Sequence, residues 1–462
     1  MDGNITVIAP FEGTPAHRLG IRAGDIISRI ESEDARGMSI DDAVKRLRGP
    51  KGSPVHIGIV RQGYDAPLDF TVIRDEIPLH SVPYYFMATK TTGYVRLTDF
   101  NETTACRPGD PKDCEKELER ALRKLRESGA TSILLDIRDN PGGLLDQAFA
   151  VSNLFLKKGQ LVVFTRGRFK RDESNYITEQ ESAYVQTPLV VLVSRHSASA
   201  SEIVAGAIQD HDRGLIVGET TFGKGLVQTI MPLRNVRGYA LALTTGRYYT
   251  PSGRSIQRDY GSTALEDYVA PRDRAACEQG VGEPKLTDAG RKVFGGDGIT
   301  PDYCVEAPAA AKFVAHLIGR QAFLAFSRNY AATETAGGAQ ISGTGSRPET
   351  LSTKVQLVTH DFQADERVLG DFKKFLDGQK VSYSSEDFDA NREAVQRQIT
   401  DEVIRQVFGE GEARKRSVTW DPQIRRALDL VPRAEQLLRE PQGFIAERDA
   451  EGKVAQGVPP SR

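Results

Sequence analysis

Three short, largely apolar segments in the middle of the chain place the strongest constraint on its fold. They cover residues 132–137, 189–193 and 215–218, and a segment containing Gly, Pro or Ser follows each. A short run with little polar alternation is typical of a strand buried on both faces of a sheet. Residues 144–156 and 199–210 have helical patterns and lie between or after these runs. Strands that alternate with helices predict a parallel βαβ core.

The N-terminal part of the chain has a different pattern and predicts a small β-rich module. Residues 26–30 and 55–61 have the composition of strands. Between them, Ser39 is followed three residues later by Asp42. Such a pair predicts a capping box, in which each side chain binds the backbone N–H of the other residue at the start of a helix. The Gly-Pro-Lys-Gly segment at residues 49–52 predicts the end of that helix.

Length and composition predict several domains in the 462-residue chain. Residues 306–330 predict a helical extension. Residues 331–354, rich in Ala, Gly, Thr and Ser, predict a flexible linker. Residues 355–462 predict a mostly helical C-terminal region, in which no motif indicates a role.

Charge and hydropathy exclude some functions. The chain has 61 Lys and Arg residues and 63 Asp and Glu residues, a net charge of -2. Without a basic field, nucleic acid is not an expected partner. The sequence contains no run of 18 apolar residues, so an integral membrane segment is not predicted. The first residues, Met-Asp-Gly-Asn, show no signal-peptide pattern.

Four cysteines bracket two polar segments of the chain. Cys106 and Cys114 flank one, and Cys277 and Cys304 flank the other. No C-x-x-C pair is present, so a zinc site is not predicted. Two loop-closing disulfides would suit an oxidising compartment. Four unrelated thiols are an equally consistent alternative, because spacing alone does not fix the connectivity.

The first candidate chemical motif is Ser-Ala-Ser-Ala-Ser-Glu at residues 197–202, just after the second apolar segment. A serine at a strand-to-helix junction lies where backbone N–H groups and the helix dipole favour developing negative charge. Ser199 is therefore a candidate nucleophile for acyl transfer. The alternative is that Ser199 and Glu202 form an ordinary capping box.

The second motif is Thr-Phe-Gly-Lys-Gly-Leu-Val-Gln at residues 221–228, after the third apolar segment. Flanking glycines let other groups approach Lys224 closely. Burial lowers the pKa of a lysine toward neutrality, as a general base requires. A lysine in a surface turn is the alternative. A phosphate loop fails at Gly225, where serine or threonine would bind magnesium.

The third motif is Asp-Ile-Arg-Asp-Asn-Pro-Gly-Gly at residues 136–143, where the first apolar segment runs into a turn. A Pro-Gly-Gly turn can direct a backbone N–H toward an oxyanion. A simple turn at the end of a strand is the alternative.

Taken in this order, the motifs resemble those of the C-terminal processing peptidases, also called tail-specific proteases. The resemblance extends to Tyr-Tyr-Thr-Pro-Ser-Gly-Arg-Ser-Ile-Gln at 248–257 and to Gly-Ile-Thr-Pro-Asp at 298–302. It implies a mixed α/β fold. A PDZ-like β-rich module (residues 1–78) would precede a ClpP/crotonase-like βαβ protease core (79–305). The loop that binds a peptide carboxylate in PDZ domains would lie before Ile5, so the module is expected to be truncated at its N-terminus.

The resemblance also implies a role for each matching residue. Ser199 would be the nucleophile and Lys224 the general base, with Gln228 orienting the lysine. The backbone N–H groups of Gly143 and Ala200 would form the oxyanion hole. For Arg61, at the end of a module strand, we hypothesise a regulatory contact with the catalytic domain; a solvated surface arginine is the alternative.

These roles imply a serine endopeptidase that needs no cofactor or metal. Its expected substrates are proteins with apolar C-terminal tails, captured as an added strand, and its expected location is extracytoplasmic, in the periplasm or cell envelope. The oligomeric state is left open, a dimer being one option. Two alternatives remain: a Ser-His-Asp triad using His196 or His211, and a non-catalytic protein on the same fold that binds peptides or lipophiles.

Overall fold

The computed structural model describes most of the chain between residues 4 and 456. The described residues are 4–8, 10, 14–22, 24–61, 64, 66–77, 79–107, 109–111, 113–170, 173–233, 239–258, 283–308, 310–331 and 358–456. The chain forms two compact units. The first combines Met1–Leu79 with Ala309–Arg416, and the second combines His80–Pro308 with Ser417–Arg462. The predicted linker, 331–354, falls almost wholly outside the described residues.

The described residues form the following strands and helices. The strands are Ile5–Thr6 (β1), Ile26–Ile30 (β2), Glu33–Asp34 (β3), Pro54–Val60 (β4), Leu68–Ile73 (β5), Tyr85–Met87 (β6), Thr92–Arg96 (β7), Ser132–Asp136 (β8), Leu161–Gly167 (β9), Ser174–Ile177 (β10), Leu189–Val193 (β11), Leu215–Gly218 (β12), Leu226–Pro232 (β13), Ala240–Tyr249 (β14), Lys285–Leu286 (β15), Lys292–Val293 (β16) and Tyr303–Cys304 (β17). The helices are Pro15–Arg18 (α1), Ile40–Leu47 (α2), Glu117–Glu127 (α3), Leu145–Asn153 (α4), Ala200–Asp210 (α5), Lys312–Gly319 (α6), Ala322–Ala331 (α7), Glu366–Gly378 (α8), Ser385–Ala390 (α9), Arg392–Phe408 (α10), Glu410–Ser417 (α11), Pro422–Asp429 (α12), Val431–Arg439 (α13) and Pro441–Gln456 (α14).

The first unit contains the β-rich module predicted near the N-terminus. Its antiparallel sheet has the order β1-β2-β4-β5, with β3 paired to β2. Ile30 and Ile59 are fully buried in its core. Helix α2 begins where the sequence predicts, because the Asp42 backbone N–H donates to Ser39 Oγ at 3.1 Å.

Helices α6 to α10, with nearly all of α11, supply the rest of the first unit. Helices α6 to α10 form an aromatic core of their own. Phe326, Phe372 and Phe388 lie at its centre. The rings of Phe326 and Phe372 meet edge to face, with centroids 5.1 Å apart. Large aromatic side chains dominate the energetics of such helical cores.

The second unit is built on a six-stranded sheet of order β17-β12-β11-β8-β7-β6. All neighbouring pairs are parallel except β6 with β7. The three apolar segments of the sequence are β8, β11 and β12, which lie side by side. The predicted mixed α/β fold is confirmed, with a β-rich module and a βαβ core.

Both faces of this parallel sheet are covered. Val191 and Val193 of β11 point into a core shared with helices α3, α4 and α5. Val190 and Leu192 point to the other face, where Ile424, Leu437 and Phe444 of helices α12 to α14 pack on them. Burial on both faces explains why these strands are apolar throughout.

A second, antiparallel sheet of order β10-β9-β14-β13 completes the second unit. The sequence did not indicate it, because β13 and most of β14 are exposed and show no regular apolar alternation. Strand β13 begins two residues after Lys224, so this sheet continues directly from the second motif.

A buried ion-pair network lies where β8 ends. The Asp136 carboxylate accepts hydrogen bonds from Tyr94 Oη at 2.6 Å, Arg96 Nη1 at 2.8 Å and Arg138 Nη2 at 2.6 Å. Arg138 also reaches Asp421, the N-cap of α12, at 2.8 Å. Burial alone would raise the pKa of Asp136, but the guanidinium groups of Arg138 and Arg96 outweigh it and hold that pKa well below its usual range.

We expect Asp136→Asn to destabilise the second unit by about 3–5 kcal/mol, because it leaves two buried guanidinium groups without their shared counter-ion. Urea unfolding at neutral pH measures the loss. Since the folded-state pKa is depressed, the stabilisation is complete at neutral pH and declines as the pH falls through that value. Asp146→Asn, which removes an exposed partner of Arg107, is the control and should leave stability close to wild type. Equal stability of both variants would contradict the assigned role of Asp136.

Candidate active site

The three motifs meet at one edge of the parallel sheet. Strands β8, β11 and β12 are neighbours, and their carboxyl ends are Asp136, Val193 and Gly218. Segments that follow adjacent parallel strands emerge side by side, which is where α/β proteins build their sites. The sheet order therefore brings residues 136–143, 197–202 and 221–228 together.

Asn140 joins the turn after β8 to the turn after β11. Its carbonyl oxygen accepts hydrogen bonds from the Ala198 backbone N–H at 3.0 Å and from Ser201 Oγ at 2.9 Å. Its side-chain oxygen accepts the Gly142 N–H at 2.9 Å. This buried residue thus fixes the Pro-Gly-Gly turn against the serine-rich turn.

Of the three alternating serines, Ser197 and Ser201 have structural partners. Ser197 Oγ donates to the Ile137 carbonyl oxygen at 2.8 Å and accepts the Ser194 N–H at 2.9 Å. Both Ser197 and Ser201 are fully buried. Ser199 is only partly buried, and its backbone has φ 55° and ψ -113°. A positive φ at a non-glycine residue is strained, and such strain is concentrated at functional sites.

Gly143 and Ala200 are the predicted oxyanion donors. Gly143 forms a parallel bridge with Phe100. In this bridge the Phe100 N–H donates to the Gly142 carbonyl oxygen and the Leu144 N–H donates to the Phe100 carbonyl oxygen, so neither bond uses the Gly143 backbone. The N–H of Gly143 itself therefore points away from Phe100. Ala200 is the first residue of α5, so its N–H is one of those that a helix start leaves unbonded. Across the described residues, neither N–H donates to a protein acceptor. Both are thus available for an oxyanion.

Lys224 and Gln228 are both exposed. The sequence leaves burial and a surface turn open for Lys224, and its exposed side chain agrees with the second alternative. Gln228 lies on β13 opposite Thr244, beside a register shift, and is also exposed. Among the hydrogen bonds of the described residues, none joins the side chains of Ser199, Lys224 and Gln228. Their predicted catalytic roles stay predictions.

Glu202 has a larger role than its capping-box position suggests. Its side chain is fully buried. Oε2 accepts the backbone N–H groups of Ser199 and Lys224, both at 2.8 Å. Oε1 accepts the Gly223 N–H at 2.7 Å and the Thr221 hydroxyl at 2.6 Å. The Ser-x-x-Glu pattern signals only the first of these four bonds.

Arg61 is bound within the first unit. Its Nε and Nη2 donate to the two carboxylate oxygens of Asp25 at 2.8 and 2.7 Å, and Nη2 also donates to the Gly20 carbonyl oxygen. The alternative of a solvated surface arginine is therefore wrong. The regulatory hypothesis stays a prediction. Because Asp25 is buried, a test of it must first establish that an Arg61 variant keeps this module folded.

The histidine alternatives each have other partners. His196 Nδ1 lies 3.0 Å from the Asp139 carboxylate. His211, at the far end of α5, contacts Asp288 and the Leu161 carbonyl oxygen, both at 2.7 Å. Since His211 follows an 11-residue helix that begins beside Ser199, it lies about a helix length away from the candidate nucleophile.

Cysteine pairing is partly described. Cys106 and Cys114 form a disulfide, as the sequence allowed. Cys277 lies outside the described residues, so its predicted pairing with Cys304 stays a prediction. Among the described residues, one group is spaced to hold a metal ion, and it consists of Cys106, Asp110 and Cys114. The sulfur atoms of its two cysteines are bonded to each other in the disulfide.

Comparison with known proteins identifies two segments of the chain. Residues 91–264 match peptidase family S41, and residues 6–61 match a PDZ domain. The carboxy-terminal-processing protease of Bartonella bacilliformis is 43% identical over 258 residues, covering 56% of this chain and 57% of that protein. The carboxyl-terminal-processing protease of Synechocystis sp. is 37% identical over 257 residues, covering 55% of this chain and 57% of that protein. The chain thus spans little more than half the length of these relatives.

A solved structure of a photosystem II D1 C-terminal processing protease is 28% identical and covers 69% of this chain and 73% of its own, with a TM-score of 0.36. The assignment rests on the sequence matches. They show a segment that matches peptidase family S41 and a segment that matches a PDZ domain. More particularly, the chain is similar to carboxy-terminal processing proteases over little more than half of its length. No described helix is both long and apolar enough to cross a membrane.

We expect Gly142→Ala to reduce peptidase activity about 100-fold, because an added Cβ would lie 2.8 Å from Ser199 Cβ and 2.9 Å from Ala200 N. Gly159→Ala is a matched control. Gly159 also has a positive φ, 86° against 103°, but nothing lies within 4 Å of its added Cβ. Both substitutions strain the backbone, and only the first displaces the nucleophile turn. Similar activities in the two variants, measured on an unfolded protein substrate, would contradict this geometry.

Proposed function

We propose that this chain is a serine endopeptidase that cleaves proteins at or near their C-terminal tails through a Ser199–Lys224 dyad. The observation that carries the proposal is the strained Ser199 turn, which lies against Gly142, together with the neighbouring N–H groups of Gly143 and Ala200, which donate to no acceptor among the described residues. A nucleophile next to paired N–H donors is the arrangement that acyl transfer requires.

The reaction would proceed in two stages. Ser199 Oγ attacks the scissile carbonyl carbon and gives its proton to Lys224 Nζ, while the N–H groups of Gly143 and Ala200 stabilise the oxyanion. As the C–N bond breaks, Lys224 returns the proton to the leaving amine, which leaves an acyl-enzyme on Ser199. Water, activated by Lys224, then hydrolyses the ester. Because Lys224 is exposed here, its side chain would have to turn toward Ser199 when substrate binds, with Gln228 orienting it.

The PDZ domain supports recognition of substrate tails. An extended C-terminal segment can add to a sheet edge, with main-chain hydrogen bonds for affinity and apolar pockets for preference. The Cys106–Cys114 disulfide supports an extracytoplasmic location, because such bonds persist in oxidising compartments. A non-catalytic binding protein is less well supported, since it would not require the strained backbone of Ser199.

We expect Ser199→Ala and Lys224→Ala each to abolish hydrolysis of an unfolded protein substrate while the fold is retained. The first removes the nucleophile and the second the proton acceptor. Turnover and circular dichroism measure the two effects, and Lys158→Ala, at another exposed lysine of the same unit, should keep wild-type turnover. Substantial turnover by the Ser199→Ala variant would refute the dyad.

We expect substrates that end in apolar residues to be cleaved at least tenfold faster than otherwise identical substrates whose last residues are charged. Charged residues do not fit the apolar pockets of a tail-binding site, and the change leaves the scissile region as it was. Initial rates on such matched pairs test this. Equal rates would leave the endopeptidase intact and reject recognition of tails.

A further inference from the structure

Glu202 is the one carboxylate of the described candidate site that contacts both catalytic segments. It stands at the third position of α5, directly below the Ser199 turn. The segment that carries Lys224 follows β12, a different strand. No covalent connection shorter than 22 residues links Glu202 to Lys224. The relative position of the two segments therefore depends on the contacts between them.

The same oxygen atom binds both catalytic residues through their backbones. Glu202 Oε2 accepts the N–H of Ser199 and the N–H of Lys224, each at 2.8 Å. Further contacts between the segments are fewer: the Phe222 N–H donates to the Ser197 carbonyl oxygen at 3.0 Å. Two donors on one acceptor atom hold the two backbones within a few ångströms of each other.

Burial and hydrogen bonding act in opposite directions on the charge of Glu202. Four donors point at its two oxygens. Thr221 cannot easily reverse its bond, because its hydroxyl oxygen already accepts the Ile299 N–H at 2.7 Å. Burial raises the pKa of Glu202 above its ordinary value, and the four hydrogen bonds offset only part of that rise. The positive end of the α5 dipole also favours the carboxylate.

We propose that Glu202 is a positioning residue that couples the nucleophile turn to the general-base segment by binding the backbone N–H groups of Ser199 and Lys224 with one carboxylate oxygen. The inference rests on the proposed function, since Glu202 can position the catalytic residues only if Ser199 and Lys224 take part in the reaction. It predicts that Glu202 affects the rate at each active site and not merely the amount of folded protein.

Glu202→Gln is the decisive variant. It keeps the size of the side chain, but its amide NH₂ replaces one carboxylate oxygen and faces either the N–H groups of Ser199 and Lys224 or the N–H of Gly223 and the hydroxyl of Thr221. In either orientation at least one backbone N–H of the general-base segment loses its acceptor. We expect the rate of covalent labelling of Ser199 by a fluorophosphonate to fall at least 100-fold per site, because misplacement of about 1 Å can cost that much. We also expect kcat on a peptide substrate to fall with KM nearly unchanged.

Glu219→Gln is the matched control. Glu219 is also buried and directly follows β12, but its carboxylate binds the Arg195 side chain at 2.7 Å. The Glu219→Gln substitution removes a buried charge near the site but keeps the hydrogen bonds of Glu202 to the Ser199 and Lys224 backbones. Its labelling rate should stay within about twofold of wild type. The titre of labelled sites, measured at saturation, reports the folded fraction of each variant.

The outcomes separate the two hypotheses. If Ser199→Ala is still labelled, the proposed function fails, whatever Glu202 does. If Ser199→Ala is silent but Glu202→Gln labels at the wild-type rate per site, the inference is overturned. A lower titre with a wild-type rate also overturns it, because Glu202 would then only stabilise the fold. Should Glu202→Gln not fold, Glu202→Asp decides. Its shorter carboxylate should slow labelling, and a wild-type rate would overturn the inference.

Discussion

The parallel pairing of β8, β11 and β12 is the constraint on which the candidate site depends. It places the carboxyl ends of three strands in a row, so that three turns far apart in sequence become neighbours. A parallel sheet must be covered on both faces. Helices α3 to α5 cover one face, and helices α12 to α14, from the end of the chain, cover the other. Arg138 joins that second layer to the site, because it binds both Asp136 at the end of β8 and Asp421 at the start of α12.

Polar groups around the site fall into two sets. Those that fix the turns are fully occupied: the Asn140 carbonyl, the Ser197 and Ser201 hydroxyls and the Glu202 carboxylate all hold backbone groups of neighbouring segments. Those that would face a substrate carbonyl, the N–H groups of Gly143 and Ala200, are left unbonded. A buried scaffold that satisfies its own hydrogen bonds, and leaves only selected donors free, is preorganised to stabilise charge that develops during a reaction.

Much of this architecture follows from the sequence, for identifiable reasons. The buried strands are uninterrupted apolar runs, so β11 and β12 are predicted to the residue. Short motifs locate Ser199, Lys224 and Gly143 because their spacing is unusual. The antiparallel sheet was not predictable from alternation, since the last five of the seven residues of β13 are all exposed. The exposure of Lys224 could not be predicted, because flanking glycines determine how closely a backbone can be approached and not where a long side chain points. Residues 355–462 are divided between the two compact units after Arg416, and no sequence pattern near that position indicates the division.

The contrast between the two parts of Lys224 shows where the remaining freedom of the site lies. Its backbone N–H is tied to a buried carboxylate, whereas its side chain is exposed. Bringing Nζ to Ser199 thus requires changes in side-chain torsions and leaves the scaffold in place. Rotamer changes are fast and cost little compared with moving a strand. A substrate that covers Lys224 would supply the burial that its side chain lacks in the free chain, so that binding itself would complete the proposed dyad.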